Sequence, residues 1–65
     1  MDFIERLKSE KEELKIKCEN LHKFIRSEKF KGVSTIQRSK MIEQLSHMMN
    51  YGRCLDARLI DLEVE

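Results

Sequence analysis

A seven-residue repeat in the second half of the chain constrains the fold more than any other feature. Between Arg38 and Leu62, two positions in every seven fall on the same side of a helix, and most of them hold large apolar residues. This spacing predicts an amphipathic helix with a core-facing seam. A lone helix with such a stripe is unstable in water, so another element must cover it. The seam positions are Arg38, Met41, Leu45, Met48, Gly52, Leu55, Leu59 and Leu62.

The first half of the chain carries a matching repeat. Asp2 followed by Glu5 is the pattern of a helix N-cap with a reciprocal carboxylate three residues later. The sequence therefore predicts a first helix over residues 3–30. Its seam positions are Ile4, Leu7, Lys11, Leu14, Cys18, Leu21, Ile25 and Glu28.

The two repeats are separated by a predicted turn over residues 31–34. Gly32 can adopt the left-handed conformation that ends many helices. Ser34 is followed three residues later by Gln37, which is the spacing of a capping box. We therefore expect a second helix over residues 35–62, and the whole chain, 1–65, to be a single helical hairpin domain.

Two helices joined by a short connection are expected to pack antiparallel. Aligning the two seams gives facing pairs whose residue numbers have a constant sum, and two of these pairs carry chemical information. Leu14 faces Gly52, a large residue against the smallest, and Glu28 faces Arg38 beside the turn. The predicted fold class is all-α, an antiparallel two-helix hairpin of coiled-coil type.

One flank of the hairpin is predicted to be apolar. Extending the seam pairing outward sets Phe24 beside Ile42 and Lys17 beside Met49. An apolar flank of this kind would face water in a monomer. We therefore expect a homo-oligomer, a helical bundle assembled through Phe24, Ile42 and Met49, without a defined number of copies.

Composition limits the range of functions. The 65 residues have a net charge of +1 and include no proline. No apolar run approaches the ~18 residues of a membrane span, and the N-terminus lacks an apolar signal core, so a cytoplasmic protein is expected. Two helices offer no enclosed pocket and no nucleophile with a base, which predicts neither an enzyme nor a cofactor. Cys18, His22 and His47 lack a fourth ligand, so no metal site is predicted.

The predicted turn collects an aromatic ring and several cations. Phe30 could stack on a base, while Lys31, Arg38, Lys40 and the N-terminus of the second helix hold a phosphate. The alternative is that Phe30 closes the end of the hairpin and the cations are simply solvated.

A second candidate site lies on the polar flank. The same pairing sets Lys15 beside Tyr51 and Lys8 beside Arg58. Tyr51 between Lys15 and Arg58 would again combine an aromatic ring with positive charge.

The segment 30–37 resembles a known family. It reads as an aromatic residue, two intervening residues, an aliphatic residue, and a capping Ser with a polar residue three positions on. The helix that follows contributes Met41, Leu45, Met48 and Tyr51. Together they resemble the phage helical-hairpin sponges that counter CBASS and Thoeris defence by sequestering cyclic nucleotide signals. In that family the aromatic residue stacks on a base, and Phe30 is the matching position. A basic residue of the next helix contacts phosphate there; Leu45 stands in its place here, with Arg38 and Lys40 nearby.

This resemblance implies a non-catalytic homo-oligomer that binds a cyclic nucleotide immune messenger in the cytoplasm of the host cell. Two alternatives remain. The chain could be an adaptor hairpin that binds a protein helix through its apolar flank. It is also similar in length and turn position to the small plasmid-copy-control hairpin that binds RNA as a four-helix-bundle dimer, although a net charge of +1 makes RNA the weaker alternative.

Overall fold

A computed structural model of the chain describes residues 2–63, with side chains for residues 2–62. Helix α1 spans Phe3–Ile25, a short 3-10 helix spans Glu28–Gly32, and helix α2 spans Thr35–Glu63. Within residues 2–63 there is no β-strand, and the two long helices pack against each other. The predicted all-α architecture of two packed helices is therefore confirmed. Residues 1, 64 and 65 of the predicted domain lie outside the described part of the chain.

Both long helices begin at the residues that the sequence predicts. The Asp2 carboxylate accepts a hydrogen bond from the Glu5 N–H at 2.8 Å, and the Ser34 hydroxyl accepts one from the Gln37 N–H at 3.2 Å. Each cap satisfies an N–H group that has no partner within its own helix. The two predicted N-caps are confirmed.

The end of α1 differs from the prediction, because the helix stops at Ile25 and not at Phe30. The Ser27 hydroxyl donates to the Phe24 carbonyl at 2.6 Å, and the Ser27 N–H donates to the same oxygen at 3.0 Å. A serine side chain that bonds to nearby backbone competes with the helical hydrogen-bond pattern. Ser27 is extended as a result, and the chain continues as the 3-10 helix.

The predicted left-handed conformation of Gly32 is wrong. No glycine in the described residues has a positive φ. The chain reverses instead through the 3-10 helix between two extended residues, Ser27 and Val33. Hydrogen bonds from the Phe30 N–H to the Ser27 carbonyl and from the Val33 N–H to the Phe30 carbonyl hold this reversal.

The core lies at the end of the hairpin that is far from the turn, here called the open end. Leu7, Leu55 and Leu59 are the buried apolar residues of the described chain, and Leu55 is fully buried. Ile4, Leu14 and Leu62 pack against them. Burying each leucine stabilises the fold by about 1.5–3 kcal/mol.

The seam pairing is confirmed at Gly52. A Cβ atom placed on Gly52 would lie 3.6 Å from Leu14 Cδ2, which is ordinary van der Waals contact. Leu14 therefore lies opposite Gly52 across the seam, and an alanine at position 52 would fit there without a clash.

The hairpin is a rod of 49 × 17 × 15 Å. Among the described residues, neither helix is apolar over a stretch long enough to cross a bilayer.

Candidate functional site

One flank of the hairpin joins an aromatic residue of each helix to a charged residue of the other. The Arg58 guanidinium lies over the Phe3 ring, with Cζ 5.5 Å from the ring centroid. One heptad further along, the Tyr51 hydroxyl donates a hydrogen bond to the Glu10 carboxylate. We call this side the Tyr51 flank.

The opposite flank contains a shallow groove. Met49 lines it together with Cys18 and His22, and Lys15 lies further along the same groove near Asp56. We call this side the Met49 flank.

These contacts overturn the predicted composition of the two flanks. The seam pairing predicts Tyr51 beside Lys15 and Arg58 beside Lys8, yet Tyr51 contacts Glu10 and Arg58 contacts Phe3. The reason is the direction of the chain. In an antiparallel pair of helices, side chains on one flank of the first helix face side chains at the same heptad position of the second helix. The constant-sum rule is correct for seam residues. When it is applied to flanking residues, it pairs residues that lie on opposite flanks of the hairpin.

The correction separates the predicted assembly residues. Phe24 is two heptads after Glu10 and so belongs to the Tyr51 flank, whereas Ile42 is one heptad before Met49 and belongs to the Met49 flank. Phe24, Ile42 and Met49 therefore do not form one surface.

The second predicted ligand site is separated in the same way. Lys15 lies on the Met49 flank, while Tyr51 and Arg58 lie on the Tyr51 flank. Within one hairpin a single ligand contacting all three would have to cross from one flank to the other, and the grouping of Lys15 with the other two stays a prediction.

At the turn, Phe30 packs against Phe24. The ring centroids are 6.2 Å apart and the rings are perpendicular, an edge-to-face arrangement that aromatic pairs favour. Phe30 is half-buried, so it closes the end of the hairpin and still presents part of its ring to solvent.

Two of the cations near the turn form exposed ion pairs with neighbouring carboxylates. Lys31 Nζ lies 3.3 Å from Glu28, and Lys40 Nζ lies 3.0 Å from Glu43. Exposed pairs of this type contribute about 0–1 kcal/mol, so an arriving anion can displace either carboxylate at low cost.

Arg38 is half-buried and turns toward its own helix. Its Nη2 donates to the Thr35 hydroxyl at 3.3 Å, and its Nε is buried without a hydrogen-bond partner among the described residues. The predicted pairing of Arg38 with Glu28 is wrong, because Glu28 lies beyond the end of α1 and pairs with Lys31. Lys40, two residues after Arg38, points away from it, since residues two apart do not share a helix face.

Tyr51 is a titratable group with a clear pKa shift. Its hydrogen bond to the Glu10 carboxylate is the main cause and raises the pKa of the Tyr51 hydroxyl above its ordinary value, since the bond and the nearby negative charge both favour the protonated form. Arg58 opposes the shift weakly.

Sequence reasoning missed a cluster at the open end. Phe3, Arg6, Glu10 and Arg58 line one depression of about 360 Å³. The signal was present in the sequence. Phe3 and Glu10 immediately precede seam residues of α1, as Tyr51 and Arg58 do in α2, and such positions meet in an antiparallel pair.

The described residues include no group of three or more His, Cys, Asp or Glu side chains able to hold a metal ion. Cys18 and Cys54 are both free thiols.

Comparison with known proteins identifies related sequences. A family model described as Sequestin matches residues 1–61. An uncharacterized 7.5 kDa protein from the denB-rIIB intergenic region of Enterobacteria phage T4 is 35% identical over 54 residues, which covers 83% of this chain and 84% of the phage protein. No solved structure matches the chain.

Proposed function

Because this chain belongs to the Sequestin family, we propose that it is a non-catalytic phage protein that binds and sequesters a cyclic nucleotide or oligonucleotide immune messenger of the host. The family description supports sequestration, and the phage T4 relative supports a phage setting. The function requires binding and no bond-breaking step, which suits a rod whose surface offers shallow depressions.

The observation that carries this proposal is the arrangement at the turn. Phe30 is held in place by Phe24 while part of its ring faces solvent, so it can stack on a base without reorganising. Lys31 is held only by an exposed ion pair and follows Phe30 directly. Arg38 lies at the start of α2, where free N–H groups and the helix dipole also favour a phosphate. Lys40 lies on another face of α2 in an exposed ion pair with Glu43, and it would contact a phosphate only after releasing that carboxylate.

Calorimetric titration tests this function directly. We expect saturable heat with at least one member of a panel of cyclic dinucleotides, cyclic trinucleotides and cyclic ADP-ribose isomers. Replacing Phe30 by Leu removes the stacking surface and keeps an apolar plug, so affinity should fall about tenfold or more, because stacking on one base contributes about 1–3 kcal/mol.

The matched control is Phe30→Tyr, which keeps a ring and should keep most of the affinity. Circular dichroism of both variants checks that the helices persist. Absence of heat with every messenger, at concentrations where the chain is fully assembled, would exclude the proposed function.

We further propose that the chain self-associates through the Met49 flank. Ile42 and Met49 are 53% and 48% exposed and lie two helical turns apart on that flank, and the groove beside Met49 is lined by Cys18 and Leu45. A second hairpin laid along this groove would cover all four. The same surface supports the alternative function, an adaptor that binds an amphipathic helix of another protein.

Light scattering coupled to size-exclusion chromatography tests this surface. The double variant Ile42→Glu with Met49→Glu should shift the chain to a monomer, since each change places a charge where an apolar contact is proposed. Ile60→Glu is the matched control, because Ile60 is 63% exposed on the same helix and lies on neither flank. An unchanged mass for the double variant would exclude self-association through this flank, and a monomeric wild-type chain that still captures an amphipathic helix there would favour the adaptor.

A further inference from the structure

We propose that the open end of the hairpin carries a separate nucleotide site, formed by Phe3, Arg6 and Arg58 and bordered by Glu10 and Tyr51, which takes a phosphate and a base that bears an amino group. This site lies at the opposite end of the rod from Phe30. The proposal therefore goes beyond the proposed function and stands or falls without it.

The first observation is the exposed aromatic ring with a cation fixed beside it. Phe3 is 52% exposed, which is unusual for a phenylalanine beside a leucine core. The Arg58 guanidinium lies over the ring at 5.5 Å and is thereby held in position. About half of the Phe3 side chain is exposed, which leaves apolar area that a base can contact.

The second observation is a cation in the same depression that has no ion-pair partner among the described residues. Arg6 follows Phe3 by three residues, so the two share a face of α1. The Arg6 guanidinium forms neither an ion pair nor a hydrogen bond with another described residue. Arg6 and Arg58 line the depression from different helices, and guanidinium groups bind phosphate oxygens through paired N–H donors.

Two carboxylates at this end of the hairpin, Asp2 and Glu10, already accept hydrogen bonds within the chain. Asp2 accepts the Glu5 N–H as the cap of α1, and Glu10 accepts the Tyr51 hydroxyl. Glu10 lies at the inner edge of the depression, and a carboxylate has spare acceptor sites after one hydrogen bond. It can therefore accept an N–H of a base amino group, which guanine, adenine and cytosine possess and uracil lacks.

The depression is large enough for this ligand. Its volume of about 360 Å³ is at the lower end of the range of small-molecule sites, which begins at about 300 Å³. It is open to solvent, so a single nucleotide is the ligand size that it fits.

The full chain is titrated with GMP, UMP and inorganic phosphate, and binding is followed by NMR of the Tyr51 ring. Because the chain has a single tyrosine and no tryptophan, these resonances report on this site alone. GMP should shift them in a saturable way and should bind at least about tenfold more tightly than phosphate, the gain expected from one stacked base. UMP should bind more weakly than GMP.

Variants separate the contributions. Phe3→Leu and Arg6→Gln should each weaken GMP binding at least tenfold, and Glu10→Gln should reduce the preference for GMP over UMP. Arg53→Gln is the control, since Arg53 is an exposed arginine that bonds only to Asn50 among the contacts described, and it should bind GMP as the wild-type chain does.

Tyr51 shifts that do not saturate, or GMP affinity unchanged in both Phe3→Leu and Arg6→Gln, would overturn the site. Folding of each variant is checked by circular dichroism, and Phe3→Tyr, which keeps the ring, should retain binding.

Discussion

The open half and the turn half of the hairpin have the same seven-residue pattern but different degrees of burial. At the open end, Leu7, Leu55 and Leu59 are buried, and Leu55 is fully so. Near the turn, seam residues such as Leu21 and Leu45 are only half-buried. Two helices bury a seam residue fully only where flanking side chains close over it. The periodicity therefore specifies which residues face the partner helix, and the flanks decide how well they are covered.

The largest expected effect compares one leucine from each half. Leu55→Ala should destabilise the chain by about 2–5 kcal/mol, the range for truncating a buried leucine. Leu45→Ala should cost clearly less, because part of that side chain is already in water. Urea denaturation followed by circular dichroism at low protein concentration measures both.

Measuring the same two variants at higher protein concentration tests whether a second copy covers the turn half. If a second copy covers the turn half, the cost of Leu45→Ala should increase with protein concentration, since association stabilises the folded state by mass action. The cost of Leu55→Ala should rise less. Equal costs for the two variants at low concentration would contradict the difference between the halves.

The two helix caps give a smaller comparison between the ends. Asp2→Ala and Ser34→Ala should each cost about 1 kcal/mol, as N-cap losses usually do. Asp2 should cost the more of the two, because its hydrogen bond is shorter, 2.8 Å against 3.2 Å, and its charge also interacts favourably with the helix dipole. Asp2→Asn and Ser34→Thr are the conservative controls. A larger loss for Ser34→Ala would show that the turn depends on its cap more than the open end does.

The smallest expected effect is the pH dependence that comes from Tyr51. Its pKa is raised in the folded chain by the Glu10 hydrogen bond, so the phenol is favoured by folding. This contribution to stability is complete below the ordinary tyrosine pKa of about 10 and is lost as the pH rises through the higher folded value. Ultraviolet titration of the single phenolate should therefore give a midpoint above that of free tyrosine. In Glu10→Gln the midpoint should return toward the ordinary value, and a wild-type midpoint at or below it would show that the bond is absent in solution.

The sequence predicts those parts of this fold that depend on local chemistry. The caps at Asp2 and Ser34 need only a side-chain oxygen and an N–H three residues away, and both were found from spacing. The contact between Leu14 and Gly52 followed from aligning the seams. The end of α1 was placed too late because Ser27 can either continue a helix or interrupt it, and its bond to Phe24 is decided by the turn.

The candidate sites were harder to predict because they depend on which flanks meet. Lys15 and Tyr51 were grouped by a numerical rule that applies to the seam, and the antiparallel direction places them on opposite sides of the hairpin. Arg6 was missed because it lies outside the seam. It becomes a candidate binding residue only because it lines the same depression as Phe3 and Arg58. A list of seam pairs contains none of these relations.

The slenderness of the rod, 17 × 15 Å in cross-section, limits how it can retain a guest molecule. A hairpin only two helices wide has no deep interior. A small molecule bound to its surface therefore keeps one side exposed to solvent and can dissociate quickly. Slow escape requires a second wall. If a neighbouring copy provides that wall, the guest and the neighbour each make the other bind more tightly, and by the same factor in both directions. Ligand binding would then also stabilise the oligomer.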